Sequence, residues 1–259
     1  MDKKAKVGIL YVHGIGTQGV NFAERDIASM RKMLGKNSDD VAFSSFCWQS
    51  LIEPRERELM CKNPRLKCKL LRKLLASYGG DALCYQPRHG TDSFYKETHA
   101  ELDKALLDLS NKIADDARLV IVCHSLGTII VNNFIWDHQN SDSIGAASYN
   151  PTGTLLDRMS FLYTLGSPLA VWSMRYPNGG KPIDLPDSCL WRNIYSPTDI
   201  IGWPIKNINN AYMALSGMHD FQIWVGGLLS FWNPASHLAY ASNKKVLKMI
   251  AEDVISLLK

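Results

Sequence analysis

Ser125 lies between two apolar runs in the stretch RLVIVCHSLGTIIVNNF, residues 118–134. The first run is short and rich in β-branched residues, which predicts a buried strand over 118–123, and the second run predicts a helix. Ser125 therefore occupies a sharp strand-to-helix turn, where Gly127 supplies the small residue that such a turn needs. A hydroxyl held at the N-terminal end of a helix can act as a nucleophile when a base activates it.

A nucleophilic serine needs a general base and an acid that orients this base. His237 is the last of the seven histidines, and it lies between the last predicted strand and the final predicted helix. His219 is the alternative base, but it precedes the strand predicted over 221–227. Asp199 is the preferred acid because it follows the strand before that one. The alternative acids are Asp184, Asp187 and Asp220.

A second glycine-containing turn, VHGIG, follows the first predicted strand. Gly14 and Gly16 allow the backbone to approach a substrate closely. The stretch from Gly14 to Gly19 also matches G-x-G-x-x-G, the pattern of a dinucleotide-binding loop, which is the alternative interpretation. That pattern requires an acid at the end of the next strand. The next strand ends in SFCWQ without one, which favours a substrate-binding turn.

The strand–CHSLG–helix arrangement and the VHGIG turn resemble the nucleophile elbow and the His-Gly loop of α/β-hydrolases. TLGSPL (164–169) and SHLAYASN (236–243) resemble the same segments of small lipase-related members of that family. The resemblance implies an α/β-hydrolase fold and a chain order of Ser, acid, His. The implied catalytic residues are Ser125, Asp199 and His237. The implied oxyanion hole consists of the backbone N–H groups of Ile15 and Leu126, with substrate contacts at His13, Gly14, Gly16 and His124.

The elements that position these residues alternate along the chain, which predicts an α/β fold with a mostly parallel sheet and helices on both faces. Reactive groups then gather at the carboxyl ends of the strands. The predicted strands are 6–13, 40–48, 118–123, 159–167, 189–196 and 221–227. The predicted helices are 21–35, 93–114, 126–138 and 243–259. We expect one domain over 1–259, with a helical insert at about 50–92 that could act as a cap or lid.

The insert contains a basic segment, KNPRLKCKLLRK, that has no acid, and leucines recur through it at helical spacing. Three interpretations remain open for this segment. It can be an ordinary amphipathic helix with a solvated basic face. It can be a lid that favours acidic substrates. It can also provide peripheral membrane contact through 62–75.

The composition of the chain limits which other classes of function remain. The apolar content of 46% and the charged content of 21% are typical of a globular protein, and the net charge of +4 does not indicate a nucleic-acid partner. The six cysteines form no C-x-x-C pair or zinc-like spacing, so we expect reduced thiols, a cytoplasmic location and no metal or organic cofactor. Five of the seven tryptophans lie beyond residue 170, in the core or in an apolar pocket wall.

Taken together, these patterns predict a serine hydrolase that cleaves a small-molecule or lipid-like carboxylic ester. A thioesterase or an acyltransferase would use the same triad, since the fold does not determine the reaction. A binding protein that retains the scaffold without turnover is the alternative from another class. The oligomeric state is left open by the sequence.

Overall fold

A computed structural model describes residues 4–14, 23–62, 84–86, 93–140, 153–226 and 234–259. Its strands are β1 (Ala5–Val12), β2 (Val41–Phe46), β3 (Ile113–His124), β4 (Met159–Leu165), β5 (Leu190–Tyr195) and β6 (Met218–Gln222). Its α-helices are α1 (Glu24–Leu34), α2 (Gln49–Lys62), α3 (Phe94–Lys112), α4 (Leu126–Gln139), α5 (Gly153–Leu156), α6 (Leu169–Ser173), α7 (Asn210–Met213) and α8 (Lys244–Ser256). Short 3₁₀ helices span Gly35–Asp40, Pro177–Gly179 and Pro234–Ala239.

The six strands form one sheet in the order β2-β1-β3-β4-β5-β6, and every neighbouring pair is parallel. This arrangement confirms the predicted α/β class with a parallel sheet. Because all strands run in the same direction, the segments that follow them leave from one edge of the sheet. The predicted site segments therefore begin at this edge.

Helices cover both faces of the sheet, and the side chains of β1 point alternately toward the two helical layers. Val7, Ile9 and Tyr11 pack into a hydrophobic cluster that contains residues of α1 and α8. Leu10 and Val12 point to the opposite face and pack into a cluster that contains residues of α3 and α4. Successive strand side chains point to opposite faces, so a strand buried on both sides is apolar throughout.

The junction between α3 and β3 differs from the prediction. Ser93 caps α3 by accepting a hydrogen bond from the backbone N–H of Lys96 at 3.2 Å. The helix ends at Lys112, and Ile113 is already extended. Ile113 falls within the helix predicted over 93–114, but it pairs with Ala5 and begins a strand longer than expected. The buried side chain fits either pattern, and the pairing with β1 decides between them.

The last strand also differs from the prediction. β6 spans Met218–Gln222 rather than 221–227. The apolar run FQIWVGG suggested a later strand, yet the side chain of Trp224 is largely exposed. Pairing with β5 sets the true register, with Asn193 opposite Asp220. His219 therefore lies within the strand rather than before it.

The insert is described only in part. Its first portion forms α2, in which Ile52 is buried and most of the later residues are exposed. Near its other end, Tyr85 is buried against α3. Apart from Lys62, the basic segment 62–75 lies outside the described residues. In the described ranges, no helix has the length and apolar character needed to cross a bilayer.

Candidate active site

Ser125 lies in the turn between β3 and α4. Its backbone has φ 54° and ψ −128°, a left-handed conformation that non-glycine residues rarely adopt. Such strain costs about 1–3 kcal/mol and persists only where the surroundings enforce it. Here the N–H of Ser125 donates to the carbonyl of Leu165 at 3.0 Å, and its own carbonyl accepts from the N–H of Thr128 at 2.9 Å.

Close backbone approach explains the glycines on either side of this turn. A Cβ on Gly127 would lie 2.4 Å from the carbonyl oxygen of His13, and a Cβ on Gly14 would lie 2.7 Å from Cβ of Ser125. The end of β1 is therefore packed directly against the serine turn. Cys123 fits on the other side because its buried thiol donates to the carbonyl of Tyr163 at 3.1 Å. Burial raises the pKa of this thiol, which keeps it neutral.

His237 is the base that the structure brings to Ser125. It lies on the 3₁₀ helix Pro234–Ala239, which precedes α8, and its side chain is buried. Nε2 of His237 is 2.7 Å from Oγ of Ser125, and Nδ1 is 2.8 Å from Oδ2 of Asp199. In the neutral ring, Nδ1–H donates to the carboxylate and Nε2 can accept the serine proton.

Asp199 lies in the loop after β5. Burial by itself would raise the pKa of this carboxyl, but the contacts with His237 and the hydrogen bonds from the Ile201 N–H and the Tyr240 hydroxyl hold the pKa below its ordinary value. The Ile201 N–H donates to Oδ1 at 2.9 Å, and the Tyr240 hydroxyl donates to Oδ2 at 2.8 Å. The carboxylate is therefore ionised and held in a fixed orientation.

Two further glycines make room for this carboxylate. A Cβ on Gly202 would lie 2.6 Å from Oδ2 of Asp199. Gly166 has φ 55°, and a Cβ there would lie 2.7 Å from the ring of Tyr240. Tyr240 also accepts a hydrogen bond from the N–H of Ser196 at 2.8 Å. The tyrosine therefore joins the end of β5 to the loop that carries the acid.

His124 contacts His237. Its Nε2 donates to the carbonyl of His237 at 2.7 Å, and the two rings lie 4.8 Å apart. Burial, followed by the positive potential of His237, lowers the pKa of His124 to about 3, so its ring is neutral. Burial likewise lowers the pKa of His13 to about 4. Neutral rings add no charge that would oppose protonation of His237.

A hydroxyl pair supports the first turn of α4. Oγ1 of Thr128 donates to the carbonyl of Ser125 at 2.7 Å and lies 2.7 Å from Oγ of Ser167. Ser167 in turn accepts from the N–H of Leu169 at 3.2 Å. This short chain joins the nucleophile turn to the loop that follows β4.

The alternative acids and base lie elsewhere. Asp220 is a structural residue, since its carboxylate accepts from Nδ2 of Asn193 at 2.7 Å and from the N–H groups of Ile205 and Lys206 at 3.0 and 2.9 Å. His219 is exposed in β6 and pairs in register with Arg192 of β5. Asp184 and Asp187 are exposed on the long loop before β5.

Of the predicted oxyanion and substrate residues, Gly14, His13, His124 and Leu126 lie at the same edge of the sheet as Ser125. Leu126 is the first residue of α4, where backbone N–H groups lack partners within the helix. Ile15 and Gly16 lie outside the described residues. A cavity of about 530 Å³ opens beside this edge and is lined in part by His13, Gly14, His124 and Leu238.

Tyr240 and Thr128 support the site but did not emerge from the sequence, whereas Ser167 belongs to the TLGSPL segment at the end of a predicted strand and was expected at this sheet edge. Tyr240 is three residues after His237, within the SHLAYASN segment, and this spacing was the available signal. Among the described residues there is no cluster of three or more His, Cys, Asp or Glu side chains that could hold a metal ion. The arrangement can transfer a proton from Ser125 to His237 and stabilise the resulting imidazolium by Asp199.

Comparison with known proteins adds nothing to this geometry: no protein-family model matches the chain, and no curated protein has a significantly similar sequence. A function for this chain is therefore inferred from the atoms of the site. Those atoms define a hydroxyl, an imidazole and a carboxylate in hydrogen-bonded sequence, at the carboxyl edge of a parallel sheet.

Proposed function

We propose that this chain is a serine hydrolase of the α/β-hydrolase type that cleaves carboxylic esters. The observation that carries the proposal is the 2.7 Å contact between Oγ of Ser125, in its strained turn, and Nε2 of His237. The chain order Ser125, Asp199, His237 is also that of α/β-hydrolases. A strained strand-to-helix turn that presents a serine is the defining feature of their nucleophile elbow.

The proposed reaction proceeds through an acyl-enzyme. His237 takes the proton from Ser125 while Oγ attacks the ester carbonyl, and the imidazolium then protonates the departing alcohol. Water, deprotonated by the same imidazole, attacks the acyl-enzyme and releases the acid. The N–H of Leu126 is positioned by the helix start to donate to the oxyanion, and the N–H of Ile15 is the proposed second donor.

The surroundings favour an ester with an apolar portion. Ile200, which follows the acid, is 75% exposed, and Leu238, which follows the base, is 45% exposed. Trp203 adds a partly exposed indole on the acid loop. Apolar side chains held in water beside a reactive centre can desolvate an acyl chain or an aromatic ester. We therefore place esters with apolar acyl groups first among the substrates.

A fluorophosphonate probe tests the proposal directly because it phosphonylates only an activated serine. We expect rapid labelling of the wild-type chain and loss of labelling in both Ser125→Ala and His237→Ala. Ser256→Ala, on the exposed end of α8, is the matched control and should be labelled at the wild-type rate. Labelling of Ser125→Ala at the wild-type rate would disprove the assignment of the nucleophile.

The same proteins then distinguish ester hydrolysis from thioester hydrolysis and from binding without turnover. A panel of p-nitrophenyl esters of increasing acyl length, with matched acyl thioesters, reports which leaving group is preferred. We expect esters to be hydrolysed with the higher kcat/KM. A well-folded wild-type chain that neither reacts with the probe nor cleaves any of these substrates would instead be a binding protein on this scaffold.

A further inference from the structure

A second cavity lies along α4, on the side away from the cavity beside His13. It has a volume of about 650 Å³, which is within the range of about 300–1,000 Å³ that small-molecule sites occupy. Its walls come from the second half of α4, from α6 and from the loop 176–181. None of the proposed catalytic residues lines it.

Three polar atoms in these walls have no hydrogen-bond partner in the described structure. They are Oδ1 of Asn132, Nδ2 of Asn133 and Nε1 of Trp172. Asn132 is only 9% exposed, and a buried polar atom without a partner is unfavourable because it has lost its hydrogen bonds to water. Such atoms are few in native proteins, so three in the walls of one cavity need an explanation. A ligand that supplies the missing partners provides one.

The hydrogen-bonding roles of the three atoms limit the chemical class of the ligand. Oδ1 accepts hydrogen bonds, whereas Nδ2 and the indole N–H donate them. A carboxylate only accepts, an ammonium group only donates, and a hydrocarbon does neither, so each would leave at least one atom unmatched. A hydroxyl both donates and accepts.

The remaining walls favour a ring with apolar faces. Trp136, Trp172 and Tyr176 present aromatic surface, and the guanidinium of Arg175 stacks 5.2 and 5.4 Å from the ring centres of Trp172 and Tyr176. No acidic residue occurs among the described lining residues, and Lys181 contributes the one charge among them. Aromatic faces pack against C–H groups, while neighbouring amides bind hydroxyls.

The far wall is preformed. Asn178, Gly179 and Gly180 all have positive φ, at 54°, 78° and 72°. Nδ2 of Asn209 holds this turn by donating to the carbonyls of Asn178 and Gly180 at 2.7 and 2.9 Å, and its Oδ1 accepts from the N–H of Tyr212 at 3.1 Å. A wall fixed in this way lowers the entropic cost of binding.

We propose that this cavity binds a neutral sugar, that is, a hydroxyl-rich ring with an apolar C–H face. Asn132 is seven residues after Ser125, which is the N-cap of the same helix, so the two lie about 10 Å apart along its axis. The pair Thr128–Ser167 lies between them, and the cavity residue Leu169 donates to Ser167. The site is distinct from the proposed catalytic centre, and it does not depend on the proposed function.

The first test uses the full chain without substitutions. The indole N–H signals of isotope-labelled tryptophan are followed by NMR during titration with methyl glucoside, methyl galactoside, methyl mannoside, maltose and cellobiose. We expect the signals of Trp172 and Trp136 to shift with at least one of these sugars, while those of Trp48 and Trp224, which do not line the cavity, stay in place. Tetrahydropyran, the same ring without hydroxyls, should cause no shift.

The second test measures affinity by calorimetry with the best sugar from that series. Trp172→Phe keeps the aromatic ring but removes the indole N–H, and Asn133→Leu removes an amide at similar size. Each lost hydrogen bond should weaken binding by about three- to tenfold. Trp224→Phe is the matched control and should bind as the wild type does. Ser125→Ala should also bind unchanged, which separates this site from catalysis.

Three outcomes would overturn the proposal. The first is that no sugar in the series shifts the Trp172 signal. The second is that tetrahydropyran binds as tightly as the sugars. The third is that both cavity variants retain wild-type affinity. Fluorophosphonate labelling of the same preparations reports on Ser125 alone, so failure of the sugar site and failure of the proposed hydrolase are seen separately.

Discussion

Two histidine–aspartate pairs in the described structure contain the same types of residue, but their histidines contact different third groups. In the first, Nδ1 of His237 is 2.8 Å from Asp199, and Tyr240 donates a hydrogen bond to the same carboxylate oxygen. In the second, Nδ1 of His99 is 3.3 Å from Oδ2 of Asp137, and Tyr95 donates to that oxygen at 2.8 Å. A histidine, an aspartate and a tyrosine therefore occur together twice.

The two pairs differ in what the other imidazole nitrogen contacts. Nε2 of His237 faces the hydroxyl of Ser125, which lies in a strained turn at the sheet edge. Nε2 of His99 lies 2.5 Å from the phenol of Tyr85, inside a cluster of aromatic rings. The phenol of Tyr85 is buried among these rings, whereas Gly14 and His124, which lie beside Ser125, line a cavity. The neighbour of Nε2, rather than the pair itself, distinguishes the proposed catalytic site from the structural pair.

Their positions in the fold explain this difference. His237 and Asp199 lie on segments that follow the carboxyl ends of β6 and β5, where a parallel sheet leaves its loops free to surround a ligand. His99 is on α3 and Asp137 is near the end of α4, where two helices pack together. The second pair therefore joins helices, and Tyr85 ties the insert to them.

The largest effect expected from the comparison is on catalysis, from substitution of the two histidines. His237→Gln should lower kcat for p-nitrophenyl butyrate by about 10⁶-fold, as loss of the base does in a known triad enzyme. His99→Gln should leave kcat unchanged but lower the free energy of unfolding by about 1–3 kcal/mol, because buried polar partners lose their contacts. Ester hydrolysis and urea unfolding measure the two quantities.

A result in the opposite sense would break the comparison. If His99→Gln lowered kcat as much as His237→Gln while both proteins stayed folded, the helix pair would belong to the reaction. If His237→Gln lowered stability without affecting turnover, the edge pair would be the structural one.

The two aspartates should give the next largest difference. Asp199→Asn keeps the shape of the side chain but removes the charge that orients and stabilises the imidazolium, and a loss of about 10⁴-fold in kcat is expected. Asp137→Asn should retain wild-type kcat, since its partner His99 does not contact Ser125. Single-turnover ester hydrolysis, with folding monitored by circular dichroism, would show the contrast. Equal losses in both variants would contradict it.

The fold could be predicted from the sequence because its strands are buried on both faces and read as short apolar runs. The errors occurred where one apolar pattern fits two structures. Ile113 fits the stripe of α3 as well as the start of β3, and only its pairing with Ala5 decides. The run FQIWVGG reads as a strand, but the register with β5 shifts β6 toward the N-terminus.

The candidate triad could be placed at one sheet edge because its members follow predicted strands, in the order typical of α/β-hydrolases. The contacts that support the triad could not be predicted, because they join segments that are distant in the sequence. His124 contacts His237 across 113 positions, and Thr128 contacts Ser167 across 39. The pair His99–Asp137 was missed for the same reason. Each residue alone resembles an ordinary helix position.

Acid should destabilise the protein through buried neutral histidines in both regions. Burial lowers the pKa of His13 to about 4 and also lowers the pKa of His99, so the unfolded chain binds these protons more readily than the folded one. Stability is therefore full above pH about 6.5, the ordinary value, and falls as the pH decreases below it. For His13 the expected loss between pH 8 and pH 5 is about 2 kcal/mol.

Urea unfolding at the two pH values checks this expectation. His13→Gln cannot titrate, so its free energy of unfolding should change less between pH 8 and pH 5 than that of the wild type. His99→Gln should likewise reduce the change in the free energy of unfolding between the two pH values. If neither substitution reduced the pH dependence, the histidines would not be the source of acid sensitivity.

The smallest and most discriminating effect concerns the two tyrosines that donate to the aspartates. The Tyr240 hydroxyl helps to hold the pKa of Asp199 low, so Tyr240→Phe should raise that pKa. The acidic limb of kcat/KM reports the essential base of the free enzyme. A carboxylate with one donor fewer stabilises the imidazolium more strongly, so this limb should move to higher pH. The loss at the optimum should be about tenfold, near the lower end for one hydrogen bond to a charged group. Tyr95→Phe should lower stability by about 1 kcal/mol and leave the limb in place.

Profiles of kcat/KM against pH for the wild type and the two phenylalanine variants distinguish these outcomes. A purely structural role for Tyr240 would reduce the amount of folded protein without moving the acidic limb. A shift in Tyr240→Phe alone would show that the hydroxyl acts through the charge of Asp199. Equal shifts in both variants would mean that the helix pair is electrostatically coupled to the site, because Tyr95 contacts neither Asp199 nor His237 and could move the acidic limb of kcat/KM only through the electrostatic field.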